Sequence, residues 1–347
     1  MKALVTGGKG FIGSHLVEKL LNDGHQVTCL DLIEASWQNI KSFLSYGNFN
    51  SVYVDIGAPY ACERIFRLLS AYQIDVVFHL AGLADIVPSI NNPIDYFRAN
   101  VFGTLNVLEA ARQAKIKKFV YASSSSVYGI PDPADIPTSE KALIKTQYPY
   151  AETKYQGERW VSHYDKVYHL PTISLRLFNV YGPRSRTTGT YGAVFGTFLA
   201  QKINGKPFTV VGDGMQSRDF VFVTDVCNSF VKAAESEISG EIFNVGSGKP
   251  QTVFRLTELL DGERTYLPKR PGEPDTTHAD ISKIKIMLNW TPEVSFEEGV
   301  KIMLDNIDFW KDAPVWTPES ISKATKTWFE FLEKPKKEAT DAANAGK

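Results

Sequence analysis

The stretch KALVTGGKGFIGSHLVEKL, residues 2–20, decides the fold of this chain. A short apolar run ends in a cluster of glycines, and apolar residues then recur every four positions, as they do along one face of a helix. Three of the glycines, Gly7, Gly10 and Gly13, have the spacing GxxGxxG. The pattern predicts a strand, a tight turn and a helix. Two interpretations of the turn are open: a dinucleotide site, or a connection that serves packing alone.

The carboxylate that follows the second predicted strand helps to decide between them. Glycine lets a backbone approach a pyrophosphate closely, and the helix that follows offers unpaired N–H groups at its positive end. The second apolar run ends at Asp31, where a carboxylate would accept hydrogen bonds from an adenosine ribose and repel a 2′-phosphate. The plainer interpretation of Asp31 is a helix cap or a loop carboxylate. Together the two features favour dinucleotide binding, with NAD preferred to NADP.

Short β-branched segments alternate with helix-length segments through the first half of the chain. Strands are predicted at 3–6, 26–30, 52–54, 75–79, 118–122 and 172–176, and helices at 13–23, 61–71 and 94–114. This alternation predicts right-handed βαβ units and an α/β fold. The strands are apolar throughout, so both faces of the sheet should be buried. We therefore predict a Rossmann-like, doubly wound parallel sheet.

The rhythm changes after residue 177, where glycine and proline become frequent and the elements shorten. We predict a dinucleotide-binding domain formed by residues 1–177 together with about 220–246. A smaller α/β substrate-binding domain is predicted for residues 178–219 and 247–332. The tail 333–347 lacks apolar periodicity and is predicted to be disordered.

Charge and cysteine content exclude several classes of protein. The 347 residues include 38 basic and 39 acidic ones, so no nucleic-acid partner and no anionic membrane surface is indicated. The three cysteines form no CxxC pair and the six histidines have no ligand spacing, so neither disulfides nor a metal site is expected. No apolar run approaches the roughly 18 residues of a membrane span, and we expect no signal peptide before the first strand. We expect a cytoplasmic protein.

The stretch YPYAETKYQGE indicates the chemistry, because it places Tyr150 and Lys154 one helical turn apart. A phenol with a pKa of about 10 is a poor base at neutral pH. A neighbouring ammonium and a positive nicotinamide ring would have to favour the phenolate by roughly 4 kcal/mol. The stretch YASSSSVYG follows a predicted buried strand, where a serine hydroxyl could donate to a substrate oxygen. A solvated helix face and a flexible linker are the plainer interpretations of these two segments.

Further motifs occur in a fixed order along the chain. They are TGGKGFIG, Asp31, VDI at 54–56, HLAG at 79–82, ANVFGTLNVLEA, SSSSVYG, YAETK, RLFNVYGPR, GDGMQSRDFVFVTDV, FNVGSG and RPGEPDTTHADISK. With these motifs the chain resembles, over about residues 1–310, the extended short-chain dehydrogenases/reductases of the sugar-nucleotide epimerase and dehydratase group. It is most similar to the UDP-glucose 4-epimerases.

The resemblance implies sites for NAD and for a nucleotide-diphosphate sugar, expected to be UDP-linked. It implies Tyr150 as the base, Lys154 as the ribose-binding lysine and Ser124 as a hydrogen-bonding partner of the reacting oxygen. The matching NAD-binding positions are Gly7, Gly10, Phe11, Ile12, Gly13, Asp31, Asp55, Ile56, Leu80, Ala81, Gly82, Asn100, Tyr150 and Lys154. The matching substrate positions are Ser124, Ser126, Asn179, Val194, Arg218, Arg270, Glu273 and Thr277. The two arginines would neutralise the diphosphate, and surface ion pairs are the alternative for them.

The implied activity is epimerisation at C4 of the sugar through a transient 4-keto intermediate, with NAD regenerated in every turnover. A 4,6-dehydratase or a uronate decarboxylase is the alternative, but such enzymes carry acidic residues where this chain has Ser125 and Ser126. A non-catalytic NAD-binding protein is a more distant alternative. Ala84 and Ala193 replace a lysine and an asparagine of the epimerase pattern, and the small Thr277 leaves room for an N-acetyl or uronic sugar.

A homodimer is expected, because related enzymes commonly dimerise through a helix pair that includes the tyrosine-bearing helix. In this chain that helix contains TKYQGERWVSHY. Its apolar residues could serve the interface or the core; they are Tyr155, Trp160, Val161 and Tyr164.

The C-terminal stretch DAPVWTPESISKATKTWFEFLE lies outside the resemblance. Thr317 and Pro318 are predicted to be the N-cap and the first residue of a helix that reaches about residue 332. Its aromatic residues are predicted to pack back on the second domain, with partner binding as the alternative. They are Trp316, Trp328, Phe329 and Phe331.

Overall fold

The computed structural model describes residues 1–185 and 194–333. In chain order its strands are β1 (Lys2–Thr6), β2 (Gln26–Asp31), β3 (Phe49–Tyr53), β4 (Val76–His79), β5 (Lys118–Ser124), β6 (Thr172–Leu177), β7 (Asn179–Tyr181), β8 (Phe208–Val211), β9 (Ser217–Arg218), β10 (Phe220–Phe222), β11 (Glu241–Val245), β12 (Gln251–Thr252) and β13 (Arg264–Leu267). Seven of them form one parallel sheet in the order β11-β6-β5-β4-β1-β2-β3.

The order of the strands reverses beside β1. Strands β2 and β3 follow on one side of β1, and β4, β5 and β6 follow on the other. In the register, Val5 of β1 lies opposite Cys29 of β2 and Phe78 of β4. This is the doubly wound arrangement, so the predicted fold class is confirmed. Ligands of such sheets bind outside the carboxyl ends of the strands at the reversal, here the ends of β1 and β4.

Helices connect the strands and cover both faces of the sheet. They are α1 (Phe11–Asn22), α2 (Ala61–Ala71), α3 (Ile86–Asn91), α4 (Pro93–Phe97), α5 (Gly103–Gln113), α6 (Pro149–Tyr168), α7 (Val194–Ile203), α8 (Val223–Glu235), α9 (Val253–Leu260), α10 (Ser282–Leu288), α11 (Phe296–Asp305), α12 (Pro318–Ala324) and α13 (Lys326–Leu332). Successive residues of a strand point to opposite faces. In β1, Ala3 and Val5 therefore pack in one hydrophobic cluster with Leu16 of α1, whereas Leu4 packs in a second cluster with Ile65 of α2.

The second half of the chain adds three two-stranded sheets: β7 with β10, β8 with β13, and β9 with β12. Helix α8 packs against α1 and against β5 and β6 of the central sheet. The strand β10 that precedes α8 pairs with β7 outside that sheet. The central sheet instead ends at β11, which pairs with β6.

Two predicted helices are interrupted. The segment 94–114 consists of α4, a π-helical turn at Arg98–Phe102, and α5. The helix that begins at Thr317 has the predicted cap, since the Thr317 hydroxyl accepts a hydrogen bond from the backbone N–H of Ser320. It ends at Ala324, and α13 starts a new helix after Thr325. The Thr325 hydroxyl donates to the carbonyl oxygen of Ile321 at 2.8 Å, and the Thr325 backbone N–H donates to the same oxygen at 2.9 Å. Of the predicted tail, only residue 333 lies within the described residues.

Within residues 1–185 and 194–333, no helix is both long and apolar enough to cross a membrane. The same residues bring together no group of three or more histidine, cysteine, aspartate or glutamate side chains that could hold a metal ion. All three cysteines, Cys29, Cys62 and Cys227, are free thiols.

Candidate active site

The glycine turn between β1 and α1 leaves no space for side chains. Gly7 has a φ of +69°, and a Cβ there would lie 2.8 Å from the backbone nitrogen of Ala81. A Cβ on Gly13 would overlap the carbonyl oxygen of Gly7. Gly10 caps α1, and the partly buried Phe11 begins it, so the N-terminus of the helix faces the turn. A bare backbone turn at a helix N-terminus fits the pyrophosphate of a dinucleotide.

Asp31 ties this turn to the end of β2. Its Oδ2 accepts a hydrogen bond from the backbone N–H of Lys9 at 2.8 Å, and its Oδ1 accepts one from Leu32 at 2.8 Å. Burial raises the pKa of Asp31, and these two hydrogen bonds oppose that rise. The Lys9 ammonium donates to the carbonyl oxygens of Leu32 and Ala35 and lies 4.3 Å from the centre of the Trp37 ring. The carboxylate therefore sits at the carboxyl end of β2, where the ribose beside a bound pyrophosphate would lie.

A pocket of about 380 Å³ lies next along the same edge of the sheet. It is lined by Leu32, Ile33, Glu34, Tyr53, Val54, Asp55, Arg64, Leu83, Asp95, Arg98 and Ala99. Asp55 accepts a hydrogen bond from the backbone of Gly57 at 2.9 Å and pairs with Arg98 at 2.5 Å. Ile56 is buried behind the pocket, and its carbonyl oxygen accepts a hydrogen bond from Asn106 at 2.7 Å. The walls combine apolar side chains with charged ones, which suits a planar, hydrogen-bonding base such as adenine.

The segment 80–82 leaves the end of β4 and crosses the glycine turn. The Thr6 hydroxyl accepts hydrogen bonds from the backbone N–H groups of Leu80 and Ala81, each at 3.2 Å. Asn100 is buried, and its amide is engaged within the protein. Its oxygen accepts from the Leu83 backbone at 2.8 Å, and its nitrogen donates to the Thr153 hydroxyl at 3.0 Å. These hydrogen bonds let Asn100 position the segment that follows β4.

His79 lies beneath the site and was given no role by the sequence. Its Nδ1 is 2.7 Å from the Thr6 hydroxyl and its Nε2 is 3.0 Å from the Thr104 hydroxyl. Burial, and secondarily the charge of Lys154, lower the pKa of His79 to about 3. The ring stacks on Tyr121 at 5.7 Å between centroids. The only available signal was the motif HLAG, which contains His79 but does not indicate its neutral, bridging state.

Ser124, Ser126 and Tyr150 lie together at the end of β5. The Ser124 and Ser126 hydroxyl oxygens are 2.8 Å apart, and Ser124 also accepts from the Ser126 backbone at 3.2 Å. The serine run is thus an ordered turn and not a linker. Tyr150 lies in the first turn of α6. Burial raises the pKa of Tyr150, and the nearby Ser124 and Ser126 hydroxyls act in the opposite direction.

Lys154 lies one turn further along α6 and is buried, with Nζ 4.4 Å from the centre of the Tyr121 ring. Burial lowers the pKa of Lys154 to about 7, against the opposing charge of Glu158. Tyr150 and Lys154 lie one turn apart on α6. Within the chain alone, however, burial acts against the charged form of both groups. A positive nicotinamide ring nearby would favour the Tyr150 phenolate, in opposition to this burial.

A cavity of about 510 Å³ opens beside Tyr150. Its wall includes every residue predicted to contact the sugar nucleotide: Ser124, Ser126, Asn179, Val194, Arg218, Arg270, Glu273 and Thr277. Ala84 and Ser125 line it as well. Ala193, the other departure from the epimerase pattern, lies outside the described residues.

Two arginines converge on Glu273 inside this cavity. Arg270 pairs with Glu273 at 3.0 Å and Arg218 at 3.5 Å, with only 13% and 15% of the two arginine side chains exposed. Surface ion pairs, the alternative interpretation, are therefore excluded. Burial lowers the pKa of Arg218, and the charge of Glu273 opposes this. Arg218 is held by the carbonyl oxygens of Ser217 and Pro274 at 2.9 and 3.0 Å. Two fixed guanidinium groups in one cavity suit a diphosphate.

Asp219 organises the other wall, although the sequence assigned it no role. This fully buried carboxylate accepts four hydrogen bonds, among them from the backbone of Ser247 at 2.5 Å and of Ala279 at 2.9 Å. The Thr277 hydroxyl accepts from the Asp219 backbone and donates to the Asn179 amide oxygen, both at 3.0 Å. Asp219 thus joins three distant segments of chain. It stands in the quoted motif GDGMQSRDFVFVTDV, but nothing local indicates its partners.

A buried charge pair supports the floor of the site. Arg176 of β6 and Glu158 of α6 form a two-pronged pair at 2.6 and 2.9 Å, with 4% and 2% of their side chains exposed. The Ser123 hydroxyl donates to Glu158 at 2.7 Å. Arg176 donates to the Tyr128 hydroxyl at 2.8 Å, which donates to Asn244 of β11 at 2.7 Å. The network joins α6 to three strands directly below Ser124.

This geometry agrees with comparisons to known proteins. The UDP-glucose 4-epimerase of Mycolicibacterium smegmatis is 36% identical over 308 residues, which cover 86% of this chain and 96% of that protein. The crystal structure of UDP-glucose 4-epimerase with UDP-glucose from Thermotoga maritima has a TM-score of 0.82 at 34% identity, covering 89% of this chain and 99% of the other. That of the Bacillus cereus UDP-glucuronic acid 4-epimerase with UDP-glucuronic acid and NAD has a TM-score of 0.80 at 35% identity, with the same coverage.

A family model matches the whole region that carries the cofactor groove. The match runs from residue 3 to residue 246, which is more than half of the chain and contains the glycine turn, Tyr150 and Lys154. Fold, site and relatives therefore agree: the chain belongs to the NAD dependent epimerase/dehydratase family.

Proposed function

We propose that this chain is an NAD-dependent nucleotide-sugar 4-epimerase that interconverts UDP-glucose and UDP-galactose, or their N-acetyl or uronic analogues. One observation carries the proposal. A single cavity contains Tyr150 and Ser124, which can exchange a proton with a sugar hydroxyl, and the arginine pair Arg218 and Arg270, which can bind a diphosphate. Sugar-nucleotide chemistry needs both functions at one site.

The cofactor is NAD, and the groove along the carboxyl ends of β1, β2 and β4 is proposed to hold it. The pyrophosphate would lie on the glycine turn, the adenosine between Asp31 and the pocket beside Asp55, and the nicotinamide near segment 80–82 and Lys154. NAD, when bound, accepts a hydride from C4 of the sugar and returns it to either face. We assign the cofactor to residues 1–177 with about 220–246, and the sugar nucleotide chiefly to the remainder up to 332.

The residues of this chain divide the remaining work. Tyr150 takes the proton of the 4-hydroxyl, and Ser124 holds the same oxygen by a hydrogen bond. Lys154 binds the cofactor ribose and adds positive charge beside the phenol. Arg218 and Arg270 keep the diphosphate in place while the 4-keto sugar turns its other face towards the cofactor.

The dehydratase and decarboxylase alternatives are disfavoured by the same cavity. Expulsion of the 6-hydroxyl as water needs an additional acid and base beside the sugar. The positions in question, Ser125 and Ser126, line the cavity with hydroxyl groups, which cannot act as that pair near neutral pH. The proposal covers both neutral and uronic sugars, because similar structures hold either UDP-glucose or UDP-glucuronic acid.

Proton NMR of the sugar anomeric region tests the activity. We expect purified protein to convert UDP-glucose, UDP-N-acetylglucosamine or UDP-glucuronic acid into the corresponding 4-epimer without added cofactor, because NAD is regenerated in place. Unchanged spectra for all three sugars, even with NAD added, would refute the epimerase. A 4-keto-6-deoxy product would establish a dehydratase instead.

We also propose a homodimer, supported by exposed apolar residues on α4 and α6. Ile94, Phe97 and Trp160 are exposed there, whereas Val161 and Tyr164 belong to the core. We expect sedimentation equilibrium to give twice the chain mass of 38.7 kDa. Ile94→Asp should yield a monomer, because a carboxylate buried in the interface loses its hydration.

Ile286, on α10, offers a matched control for the dimer. Its side chain is as exposed as that of Ile94, at 82% against 80%. Ile286→Asp should therefore remain a dimer. A monomeric wild-type protein at micromolar concentration, or equal behaviour of the two variants, would count against this interface.

A cytoplasmic location is the last part of the proposal. Its support is chemical: all three cysteines are free thiols, as is usual in a reducing compartment. Cell fractionation followed by immunoblotting tests it, and recovery in an oxidising compartment would contradict it.

A further inference from the structure

The C-terminal helices α12 and α13 lie beyond residue 310, where the sequence resemblance to the epimerases ends. The two similar crystal structures are matched over 99% of their own length but cover only 89% of this chain. The family match begins at residue 3, so the surplus lies towards the C-terminal end. About a tenth of this chain is not covered by the two structures, and this tenth includes the described residues that follow Trp310. By this reckoning α12 and α13 belong to the part of the chain that these two structures do not cover.

One residue of this surplus, Trp328 of α13, reaches the substrate cavity. Only 4% of its surface is exposed, and it lines the cavity together with Thr325. Its indole N–H donates a hydrogen bond to the carbonyl oxygen of Pro271 at 2.6 Å. Its ring centre lies 5.8 Å from the guanidinium carbon of Arg270. Trp328 thus contacts the segment 268–274, which carries Arg270 and Glu273.

An unbroken series of aromatic rings connects this point with the catalytic tyrosine. Tyr148 lies parallel to Tyr150, with 6.4 Å between centroids and 6° between the planes. Trp328 contacts Tyr148 at 6.2 Å. All three rings line the same cavity. The C-terminal helix therefore completes a wall that runs from the reacting end of the cavity to its arginine pair.

We propose that Trp328 is a positioning residue for the nucleotide part of the substrate. It anchors segment 268–274 through Pro271 and holds the planar Arg270 fork in the orientation that a diphosphate needs. The identity of the ligand rests on the function proposed above. Because Trp328 lies beside Arg270 and is linked to Tyr150 through Tyr148, its loss weakens binding and leaves the chemical step largely unchanged.

Titration of NAD-loaded protein with UDP tests this role. We expect Trp328→Ala to raise the Kd for UDP about tenfold, the joint effect of a lost hydrogen bond and a lost cation–π contact. The KM for the sugar nucleotide should rise with the Kd, while kcat stays within about twofold. Trp328→Phe should recover part of the loss, because it restores the ring but not the N–H. Phe331→Ala is the matched control, since that aromatic residue of α13 is 65% exposed and absent from the cavity wall.

Two results of these titrations and kinetics would overturn the proposal. UDP binding that is the same in Trp328→Ala and Phe331→Ala overturns the proposal, as does a fall in kcat with an unchanged KM. Hydrogen exchange of segment 268–274 separates this inference from the proposed function, because it needs no ligand. Faster exchange there in Trp328→Ala than in Phe331→Ala supports the anchor even if no sugar is turned over. Unchanged exchange refutes it.

Discussion

Tyr150→Phe is expected to reduce kcat by about 10²–10⁴-fold, the usual contribution of a positioned general base. The phenol lies at the substrate cavity beside Ser124, one helical turn from Lys154. Phenylalanine keeps the ring in its stack on Tyr148 and against Tyr96, so packing is preserved and only the proton acceptor is lost. Anomeric-region NMR measures the rate, and the absorbance of cofactor released on denaturation shows whether NAD is still bound.

Tyr155→Phe is the control for this prediction. Tyr155 lies on the same helix, next to Lys154, and is absent from the cavity wall. Its variant should turn over like the wild type. If Tyr150→Phe kept more than a tenth of the wild-type kcat while binding NAD normally, Tyr150 would not be the base, and the assignment of the site would have to change.

Glu158→Gln is expected to lower the free energy of unfolding by about 3–5 kcal/mol, because it leaves a buried guanidinium without its counter-charge. The amide has nearly the shape of the carboxylate, so the effect is electrostatic rather than a cavity. Arg176 would keep only neutral partners, among them the Tyr128 hydroxyl. Urea unfolding of the variant and the wild type, both saturated with NAD, measures the difference.

The exposed pair of Glu63 and Arg67 supplies the comparison. Its side chains are 68% and 75% exposed, although its atoms approach as closely as those of the buried pair. Glu63→Gln should lower the free energy of unfolding by less than about 1 kcal/mol, since water screens the pair. Equal losses of unfolding free energy in the two variants would show that burial does not determine how much the Arg176–Glu158 contact stabilises the protein.

The architecture could be predicted where the local sequence pattern and the tertiary structure favour the same secondary structure. Apolar strands alternating with amphipathic helices permit few topologies. The glycine turn could be predicted because Gly7 and Gly13 have no room for a Cβ, so the structure requires glycine at positions that the sequence shows directly. The interruptions were not predictable in this way. The apolar periodicity of residues 94–114 continues through the π-helical turn at Arg98–Phe102 and does not mark it. The break at Thr325 has no local signal either, since threonine is only mildly unfavourable inside a helix.

The site was predictable to the extent that its residues carry recognisable spacing or stand in ordered motifs. Tyr150 and Lys154 are one turn apart in any helix, whatever surrounds them. The partners of Asp219, at Ser247 and Ala279, lie on segments whose meeting no local pattern encodes. The aromatic residues of the C-terminal stretch differ in burial, and no local pattern indicates which of them are buried. Trp328 packs into the cavity wall as a core residue would, whereas Phe331, for which packing was also predicted, remains mostly exposed.

The state of His79 changes how a pH profile of this protein should be interpreted. A histidine near an active site is the usual explanation for activity that changes around pH 6.5. Here the imidazole is shared by two threonine hydroxyls, and burial holds its pKa at about 3, so it carries no charge at any pH near neutrality. His79 therefore contributes no titration near neutral pH. A limb of the pH profile between 6 and 8 belongs to groups such as Lys154, with its pKa of about 7, or to a cofactor-tuned Tyr150.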